Sequence, residues 1–237
     1  MIRYIKRMVT KQTDDFASLD FLAGETLLLD KPRKWTSFKV VHTIRKAISV
    51  KRVGHTGTLD PLATGLLIIL TGRNTKQMMN FEGLSKTYTG TFLLGKSSPS
   101  MDTETEMTNN DLPENLNGEL IFKTRDMFLG SLEQIPPMYS ALKVNGKKLY
   151  DLARSGKKVE RKPRKVQIFR FEITRINIPE VHFDIRCSKG TYIRVIANDF
   201  GEKLGYGAVL SKLRRTEIGD LSVEDALSVE EFVQKII

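Results

Sequence analysis

The amino-acid sequence predicts an α+β fold, because strand-like and helix-like patterns are mixed along its 237 residues. Apolar runs such as Leu66–Leu70 are bounded by turn residues, as buried strands are. Segments 166–178 and 181–187 alternate like a long antiparallel pair joined by a turn at 177–180. Apolar residues at 40, 41, 44, 47 and 48 instead recur at helical spacing. Strands and helices of this kind together indicate an α+β protein.

The predicted elements follow one another with short connections. Thr36 or Ser37 is a suitable N-cap for the first helix, and Lys31-Pro32 closes the strand before it. The Ser-, Thr- and acid-rich segment 96–110, which contains Asp102, is interpreted as a mobile solvated loop. In chain order, strands are expected over 26–30, 66–70, 86–94, 166–178 and 181–187, and helices over 37–48, 74–81, 114–129, 195–204 and 229–237.

Composition limits the classes of function. The 38 Lys and Arg exceed the 28 Asp and Glu by 10, which favours a polyanionic partner such as nucleic acid. The single cysteine, Cys187, excludes an internal disulfide and fits a reducing compartment. The three histidines lack metal-ligand spacing, so no metal site is expected. Since no apolar run is long enough to span a membrane, we expect a soluble cytoplasmic protein without membrane partners.

The most basic segment covers residues 143–165, where aliphatic and aromatic side chains lie among the charges. Such a run is usually a solvated face, but the interleaved Leu149, Tyr150 and Leu152 suit a lobe that contacts a phosphate backbone. Its cations are Lys143, Lys147, Lys148, Arg154, Lys157, Lys158, Arg161, Lys162, Arg164 and Lys165.

The stretch from Gly54 to Gly65, Gly-His-Thr-Gly-Thr-Leu-Asp-Pro-Leu-Ala-Thr-Gly, combines three glycines with His55, Asp60 and Pro61. Pro61 disfavours the helical conformation of the residue before it, so we expect Asp60 on a rigid extended loop. A capping aspartate in an exposed turn is the structural alternative. The buried strand that follows at once anchors the loop and favours a functional carboxylate.

The chemistry available to Asp60 is that of a lone carboxylate. Neither a Walker loop nor a dinucleotide-binding fingerprint is present. Such a carboxylate acts as a nucleophile or base and needs a cation to keep it ionised. Arg194, in the second glycine-marked segment, is a candidate for that cation, and Tyr88 is a candidate for stacking on a planar substrate. The alternatives are a surface cation for Arg194 and core packing for Tyr88, Tyr192 and Leu213.

Four stretches together resemble the TruB-type tRNA pseudouridine synthases: residues 27–32, 54–65, 135–152 and 187–194. The resemblance runs in order from about residue 25 to 217, and the Gly-His-Thr-Gly-x-Leu-Asp-Pro-x-Ala-x-Gly motif is highly specific. It implies a pseudouridine synthase fold, with a mixed, mainly antiparallel central sheet flanked by helices. It also implies one catalytic domain over 25–237 with a basic inserted lobe at about 130–165, after an N-terminal extension of residues 1–24.

The activity implied by this resemblance is base flipping and isomerisation of uridine to pseudouridine in the T-loop of tRNA, usually at position 55, without cofactor or metal. The enzyme is expected to be a monomer without an obligate protein partner. Asp60 matches the essential carboxylate, and Arg194 matches its arginine partner. The residues implied to bind the RNA or the uracil are Tyr88, His55, Tyr192 and Leu213. The resemblance also implies a part in proton transfer for Tyr88.

Two departures from the family pattern stand out. We expect no PUA-type RNA-binding module after the catalytic domain, and Lys34 stands where family members often carry glycine. Other functions remain open at this point: an RNA-folding protein that uses the basic lobe, or an N-glycosidase that releases uracil through the same carboxylate. Whether Asp60 attacks the uracil ring, attacks the ribose C1′ or removes a sugar proton also remains open.

Overall fold

The structure is a computed structural model that describes residues 8–140, 142–144, 146–157 and 159–236. The predicted basic residue Lys158 lies outside the described residues, as do residues 1–7 of the predicted extension, Ile237 and the side chains of Lys143 and Lys148. The chain divides into two units. The first contains the described residues up to Tyr88 and again from Leu213, and the second spans Thr89–Lys212.

Strands and helices alternate along the chain, as the α+β prediction requires. Two short 3₁₀ helices cover Gly72–Gln77 and Val223–Asp225. The strands are β1 (Met8–Val9), β2 (Thr26–Lys31), β3 (Val53–Thr56), β4 (Thr64–Thr71), β5 (Lys86–Leu94), β6 (Lys96–Ser97), β7 (Thr108–Asn109), β8 (Gly130–Gln134), β9 (Lys143–Val144), β10 (Lys147–Lys148), β11 (Arg164–Asn177), β12 (Glu180–Cys187), β13 (Ala208–Ile218), β14 (Leu221–Ser222) and β15 (Leu227–Ser228). The α-helices are α1 (Ser37–Ala47), α2 (Met78–Glu82), α3 (Gly118–Asp126), α4 (Leu149–Arg154), α5 (Ile193–Leu204) and α6 (Val229–Ile236).

The first unit is built on β4, which is buried on both faces. β4 pairs antiparallel with β2 and β3 and parallel with β13, while β1 and β15 pair parallel with β2. Leu67 and Ile69 point into a cluster covered by α1 and α6, and Ile68 and Leu70 point into a second cluster with Phe81 of α2. Because both faces are covered, β4 reads as a continuous apolar run rather than an alternating one.

Residues 8–24 contribute to this core. Val9 of β1 is fully buried and pairs with Leu27. Phe16, Leu19 and Phe21 pack on the cluster beneath α1 and α6. This segment is therefore part of the folded first unit, although its sequence pattern is weak.

The second unit contains an antiparallel sheet in which β12, β11 and β8 are successive neighbours. Five phenylalanines, among them Phe128, are in ring contact in its core, and the closest pair, Phe92 and Phe183, has ring centroids 4.4 Å apart. Phe171 and Phe200 complete the group, with centroids 6.1 Å apart. Phe200 belongs to α5, so this core fixes the helix that begins next to Tyr192 and Arg194.

Three local predictions need correction. The segment 96–110 is folded rather than mobile: β6 pairs with β7, and Asp102 is only 1% exposed. The predicted helix over 114–129 is the shorter α3, which Asn117 caps through its side chain. The predicted helix over 74–81 begins as the 3₁₀ helix Gly72–Gln77 and continues as the short α2. In the described part of the basic segment 143–165, α4 follows the β9–β10 hairpin. None of the helices within the described ranges has the length and apolar character needed to cross a membrane.

Candidate active site

Asp60 lies in the loop that joins β3 to β4. Gly54 and His55 belong to β3 and pair with Leu70 and Ile69 of β4, so the hairpin begins earlier than the sequence suggested. Only residues 57–63 form the connecting loop. The backbone N–H of Ala63 donates to the Asp60 carbonyl at 3.1 Å, which closes a turn around the aspartate. The carboxylate therefore sits on a short loop with a strand at each end, and its side chain is partly exposed.

Arg215 of β13 joins the two ends of this loop. Its Nη2 donates to the Gly57 carbonyl at 3.0 Å, and its Nε donates to the Leu66 carbonyl at 2.7 Å. The arginine is 1% exposed, so these bonds are made away from water. Hydrogen bonds from a charged donor to otherwise buried carbonyls are strong and costly to lose. One buried side chain thus fixes the separation of the points where the loop leaves β3 and enters β4.

The middle of the loop is held from the N-terminal end of α1. The Ser37 hydroxyl accepts from the Leu59 N–H at 2.9 Å and lies 3.2 Å from the Leu59 carbonyl oxygen, to which it can donate. The N–H of Lys34 donates to the Pro61 carbonyl at 2.7 Å. Both residues that flank Asp60 are therefore bonded to the segment that starts α1. Thr36 is the N-cap of this helix, through a bond from the Lys39 N–H, which leaves Ser37 available for the loop.

Gly65 closes the loop where no other residue fits. Its φ is +104°, and an added Cβ would lie 2.2 Å from the Arg215 carbonyl oxygen. The Gly65 N–H donates at 3.1 Å to the Asp30 carboxylate, which in turn receives two bonds from Arg214 at 3.1 and 2.6 Å. The glycine is thus required by the close approach of β13 to β4.

The electrostatic surroundings of Asp60 in the first unit are cationic. Lys31 is fully buried, and its Nζ donates to the carbonyls of Pro32 and Trp35 at 3.0 and 2.6 Å. Burial lowers the pKa of Lys31 from 10.5 to about 8, against the opposing attraction of Asp60, while the nearby charge of Arg215 lowers it further. Lys31 is therefore mainly protonated at neutral pH. Its charge attracts the Asp60 carboxylate.

His55 is held near its neutral form. Burial and, to a smaller extent, the charge of Arg215 lower the pKa of its imidazole. Its Nε2 lies 3.1 Å from the Thr58 hydroxyl, which orients the ring within the hairpin. A neutral, partly exposed ring at this point suits stacking or hydrogen bonding with RNA rather than charge pairing.

Two more predicted residues lie in the first unit. Tyr88 is on β5 with 9% of its surface exposed, and Leu213 is half-buried on β13. Leu213 precedes the Arg214-Arg215 pair, so the predicted pocket residue and the loop-holding arginine share one strand. Tyr88, Leu213, His55 and Asp60 all belong to the unit built on β4.

Arg194 belongs to the second unit and is not a surface cation. It lies in the first turn of α5 with 3% of its surface exposed. Its Nη1 donates to the Tyr139 carbonyl at 2.7 Å, and its Nε lies 3.9 Å from Oδ2 of Asp102. Asp102 in turn accepts from the Glu104 N–H at 2.9 Å. The predicted pairing of Arg194 with Asp60 stays a prediction, because these residues belong to different units.

Tyr192 is fixed immediately before α5. Its backbone exchanges two hydrogen bonds with the Gln134 side chain, at 3.0 and 3.3 Å. The guanidinium of Arg164 lies 4.5 Å from the centre of the Tyr192 ring. Tyr192 and Arg194 therefore start the same helix and occupy defined positions.

Sequence reasoning missed the residues that hold the site. Lys31 and Ser37 were noted only as the end of a strand and a possible cap, and Asp102 was assigned to a solvated loop. Arg215 was not among the predicted site residues. One signal was available: Arg214-Arg215 interrupts a strand that is otherwise suited to burial, and charged residues in such positions need specific partners.

Comparison with known proteins shows the family to which the chain is similar. The model of the TruB family pseudouridylate synthase N-terminal domain matches residues 45–193. A protein named tRNA pseudouridine synthase B, from Flavobacterium johnsoniae, is 46% identical over 92% of this chain and 98% of its own length. A protein of the same name from Chloroherpeton thalassium is 50% identical over 90% of this chain and 91% of its own.

Solved structures confirm the fold. A chain in the crystal structure of a Cbf5-Nop10-Gar1 complex superimposes with a TM-score of 0.68 at 27% identity, and the match covers 90% of this chain. The match spans 54%, about half, of that solved chain. The sequence motifs, the α+β architecture and these similarities lead to one conclusion: the chain belongs to the TruB family of pseudouridylate synthases.

Proposed function

We propose that this protein isomerises uridine to pseudouridine in the T-loop of tRNA, at position 55, with Asp60 as the catalytic carboxylate. The observation that carries the proposal is the loop geometry. Asp60 is partly exposed between two residues whose backbones are bonded to Ser37 and Lys34, while Arg215 joins the loop ends. The names of relatives that match nearly the whole chain support tRNA as the substrate.

The reaction conserves atoms, which fits a site built from side chains alone. The bond from C1′ to N1 breaks, a bond from C1′ to C5 forms, and the proton on C5 is finally replaced by one on N1. A rigid, ionised carboxylate can assist as a nucleophile at the uracil ring, as a nucleophile at C1′ or as a base at the sugar. The attraction between the charges of Lys31 and Asp60 supports a carboxylate in each of these routes.

The remaining predicted residues have roles in holding the substrate. A uridine inside a folded loop must leave its stack to reach Asp60, and lost stacking is replaced by aromatic and apolar contacts. We assign Tyr88, Tyr192 and Leu213 to the uracil, His55 to the opened RNA and Arg194 to the Asp60 carboxylate. The protein is further proposed to act as a cytoplasmic monomer without a cofactor.

The test is pseudouridine mapping after incubation of purified protein with unmodified tRNA in excess chelator. Product at position 55 is expected from the wild type, and none from Asp60→Asn, with tRNA affinity changed less than about threefold. The Asp111→Asn variant serves as the control for loss of one carboxylate, because Asp111 is exposed in the second unit. Appreciable turnover by Asp60→Asn would remove Asp60 from its role, and release of free uracil would indicate a glycosidase instead.

A further inference from the structure

Lys34 has a backbone conformation that its side chain disfavours. Its φ is 67°, in the left-handed region that glycine adopts without steric cost. The conformation lets the Lys34 N–H donate to the Pro61 carbonyl at 2.7 Å, directly after Asp60. Glycine would make the same backbone bond with less strain. A lysine retained at such a position indicates that its side chain has a use.

The chain segment that contains Lys34 is basic between Asp30 and Asp60. From Lys31 to Leu59 the sequence contains eight lysines and arginines and no aspartate or glutamate. Arg33, Lys34 and Lys39 are exposed, in contrast to the buried Lys31. By comparison, residues 143–165 contain ten lysines and arginines but also two acids, Asp151 and Glu160. The two segments therefore carry the same net charge of +8 (8 − 0 and 10 − 2).

Aromatic side chains accompany these cations. Phe38, on the first turn of α1, is 66% exposed. The Lys39 ammonium lies 4.1 Å from the centre of the Trp35 ring, which directs this cation along the same end of the helix. Exposed aromatic rings beside lysines and arginines are typical of surfaces that bind RNA strands, since rings stack on bases while cations contact phosphates.

We propose that Arg33, Lys34, Phe38 and Lys39, which we call the α1 surface, bind the RNA strand next to the target nucleotide, with Lys34 on a backbone phosphate. The proposal rests on the proposed function. RNA has a phosphate at every nucleotide, so a nucleotide that reaches Asp60 brings phosphates towards Lys34, whose backbone is bonded to the residue after Asp60. The side chain offers a long, exposed cation at one of the two points where the segment that starts α1 is bonded to the catalytic loop.

Two variants of Lys34 separate its charge from its backbone strain. Lys34→Gly removes both, whereas Lys34→Gln removes the charge and keeps the strain. Both should weaken tRNA binding and raise KM about three- to fivefold, with kcat unchanged, as expected for one exposed ionic contact. Both should also reduce the slope of log affinity against log salt by about 0.7 to 0.9. Only Lys34→Gly should raise the melting temperature, by about 2 °C.

Ser49→Gly is the matched control. Ser49 also has a positive φ, 54°, and lies just beyond the other end of α1. This variant should raise the melting temperature as Lys34→Gly does and leave affinity and salt slope at the wild-type values. A purely structural Lys34 would behave in the same way as Ser49.

The measurements also separate this proposal from the proposed function. Binding curves of tRNA at several salt concentrations test the α1 surface, and pseudouridine mapping with the wild type tests the reaction. Wild-type affinity and salt slope in both Lys34 variants would overturn the α1 surface even if the wild type makes pseudouridine. Failure of the wild type to make pseudouridine would overturn the function, while weaker, less salt-dependent binding by the variants would still support the surface.

Discussion

Arg215 and Arg194 are both buried guanidinium groups, yet they are used differently. Arg215 donates to two backbone carbonyls, those of Gly57 and Leu66, at the two ends of the Asp60 loop. Arg194 also donates to two backbone carbonyls, those of Tyr139 and Ser100, but in addition it lies 3.9 Å from the Asp102 carboxylate. Thus Arg215 is surrounded mainly by peptide dipoles, while Arg194 has a full negative charge beside it in its own unit.

The difference separates two tasks. A guanidinium bound by carbonyls fixes backbone geometry and retains its positive field, which lowers the pKa of both Lys31 and His55. A guanidinium next to a carboxylate is oriented by that charge, and its own field is partly offset. We infer that Arg215 sets the position of Asp60, whereas Asp102 sets the orientation of Arg194.

The largest expected effect comes from adding a side chain at Gly65, where the backbone of Arg215 approaches closely. In Gly65→Ala the new Cβ would meet the Arg215 carbonyl oxygen at 2.2 Å with φ at +104°. Combined overpacking and backbone strain should lower the free energy of unfolding by about 3–5 kcal/mol, measured by denaturant titration. The control is Gly54→Ala, whose Cβ would meet only the flexible end of Met78 at 3.1 Å. Similar losses of unfolding free energy in both variants would show that Gly65 is no more important for stability than Gly54.

Arg215→Lys should be the next most severe change. Lysine keeps the charge but cannot reproduce the fork that serves two carbonyls, so one buried acceptor loses its partner. We expect a loss of about 2 kcal/mol in unfolding free energy and a fall in kcat of at least about tenfold, with little change in KM. Arg214→Lys, at the partly exposed pair with Asp30, is the control and should cost about 1 kcal/mol or less. An unchanged kcat in Arg215→Lys would contradict a positioning role.

Asp102→Asn tests the other arginine. The change keeps the size and the acceptor oxygen of the side chain but removes the charge beside Arg194. Turnover should fall about tenfold, equivalent to about 1.4 kcal/mol, without a change in tRNA affinity. Glu104→Gln, in the same loop and paired with Arg154 at 3.2 Å on the surface, should leave turnover unchanged. Equal turnover by the two variants would mean that Asp102 does not orient Arg194.

The last expected effect, on stability alone, is a pH dependence from Lys31. Its pKa is about 8 in the folded protein and near 10.5 when exposed, so the unfolded chain binds more protons between these values. The free energy of unfolding should therefore rise with pH in this window. In Lys31→Met this contribution disappears. The unfolding free energy of the wild type minus that of the variant should therefore increase from pH 8 to 10. A constant difference across that range would contradict the assignment.

Local patterns were sufficient to predict several of the longer elements of the fold, but not the strand β13. The strands β2, β4 and β5 and the helix α1 lie within two residues of their predicted bounds, because apolar runs, alternation and capping residues are encoded nearby. The same holds for the β11–β12 pair and its turn. By contrast, the predicted helix over 74–81 begins as a 3₁₀ helix, since the weak pattern there is decided by packing on β3 and β4.

The site was predictable only in part for a physical reason. The family motif identified Asp60, but nothing near Arg215 in sequence indicates its partner Gly57, which lies 158 residues away. Asp102 was misassigned because an acid in a Ser- and Thr-rich segment is ordinarily solvated. Its burial depends on α5, which is encoded some 90 residues later. Charged residues enter a core only with partners, and distant partners leave no local pattern.

The loop around Asp60 has one further consequence, for protein engineering. Most of the bonds that shape it are made by its peptide groups. The side chains that bond to these groups, those of Ser37 and Arg215, belong to other segments. Transplanting residues 57–63 into another hairpin would therefore transfer the aspartate without its placement. A successful graft would have to carry a serine at the start of a helix and an arginine on a neighbouring parallel strand. The portable unit of this catalytic site is thus a set of three separate chain segments.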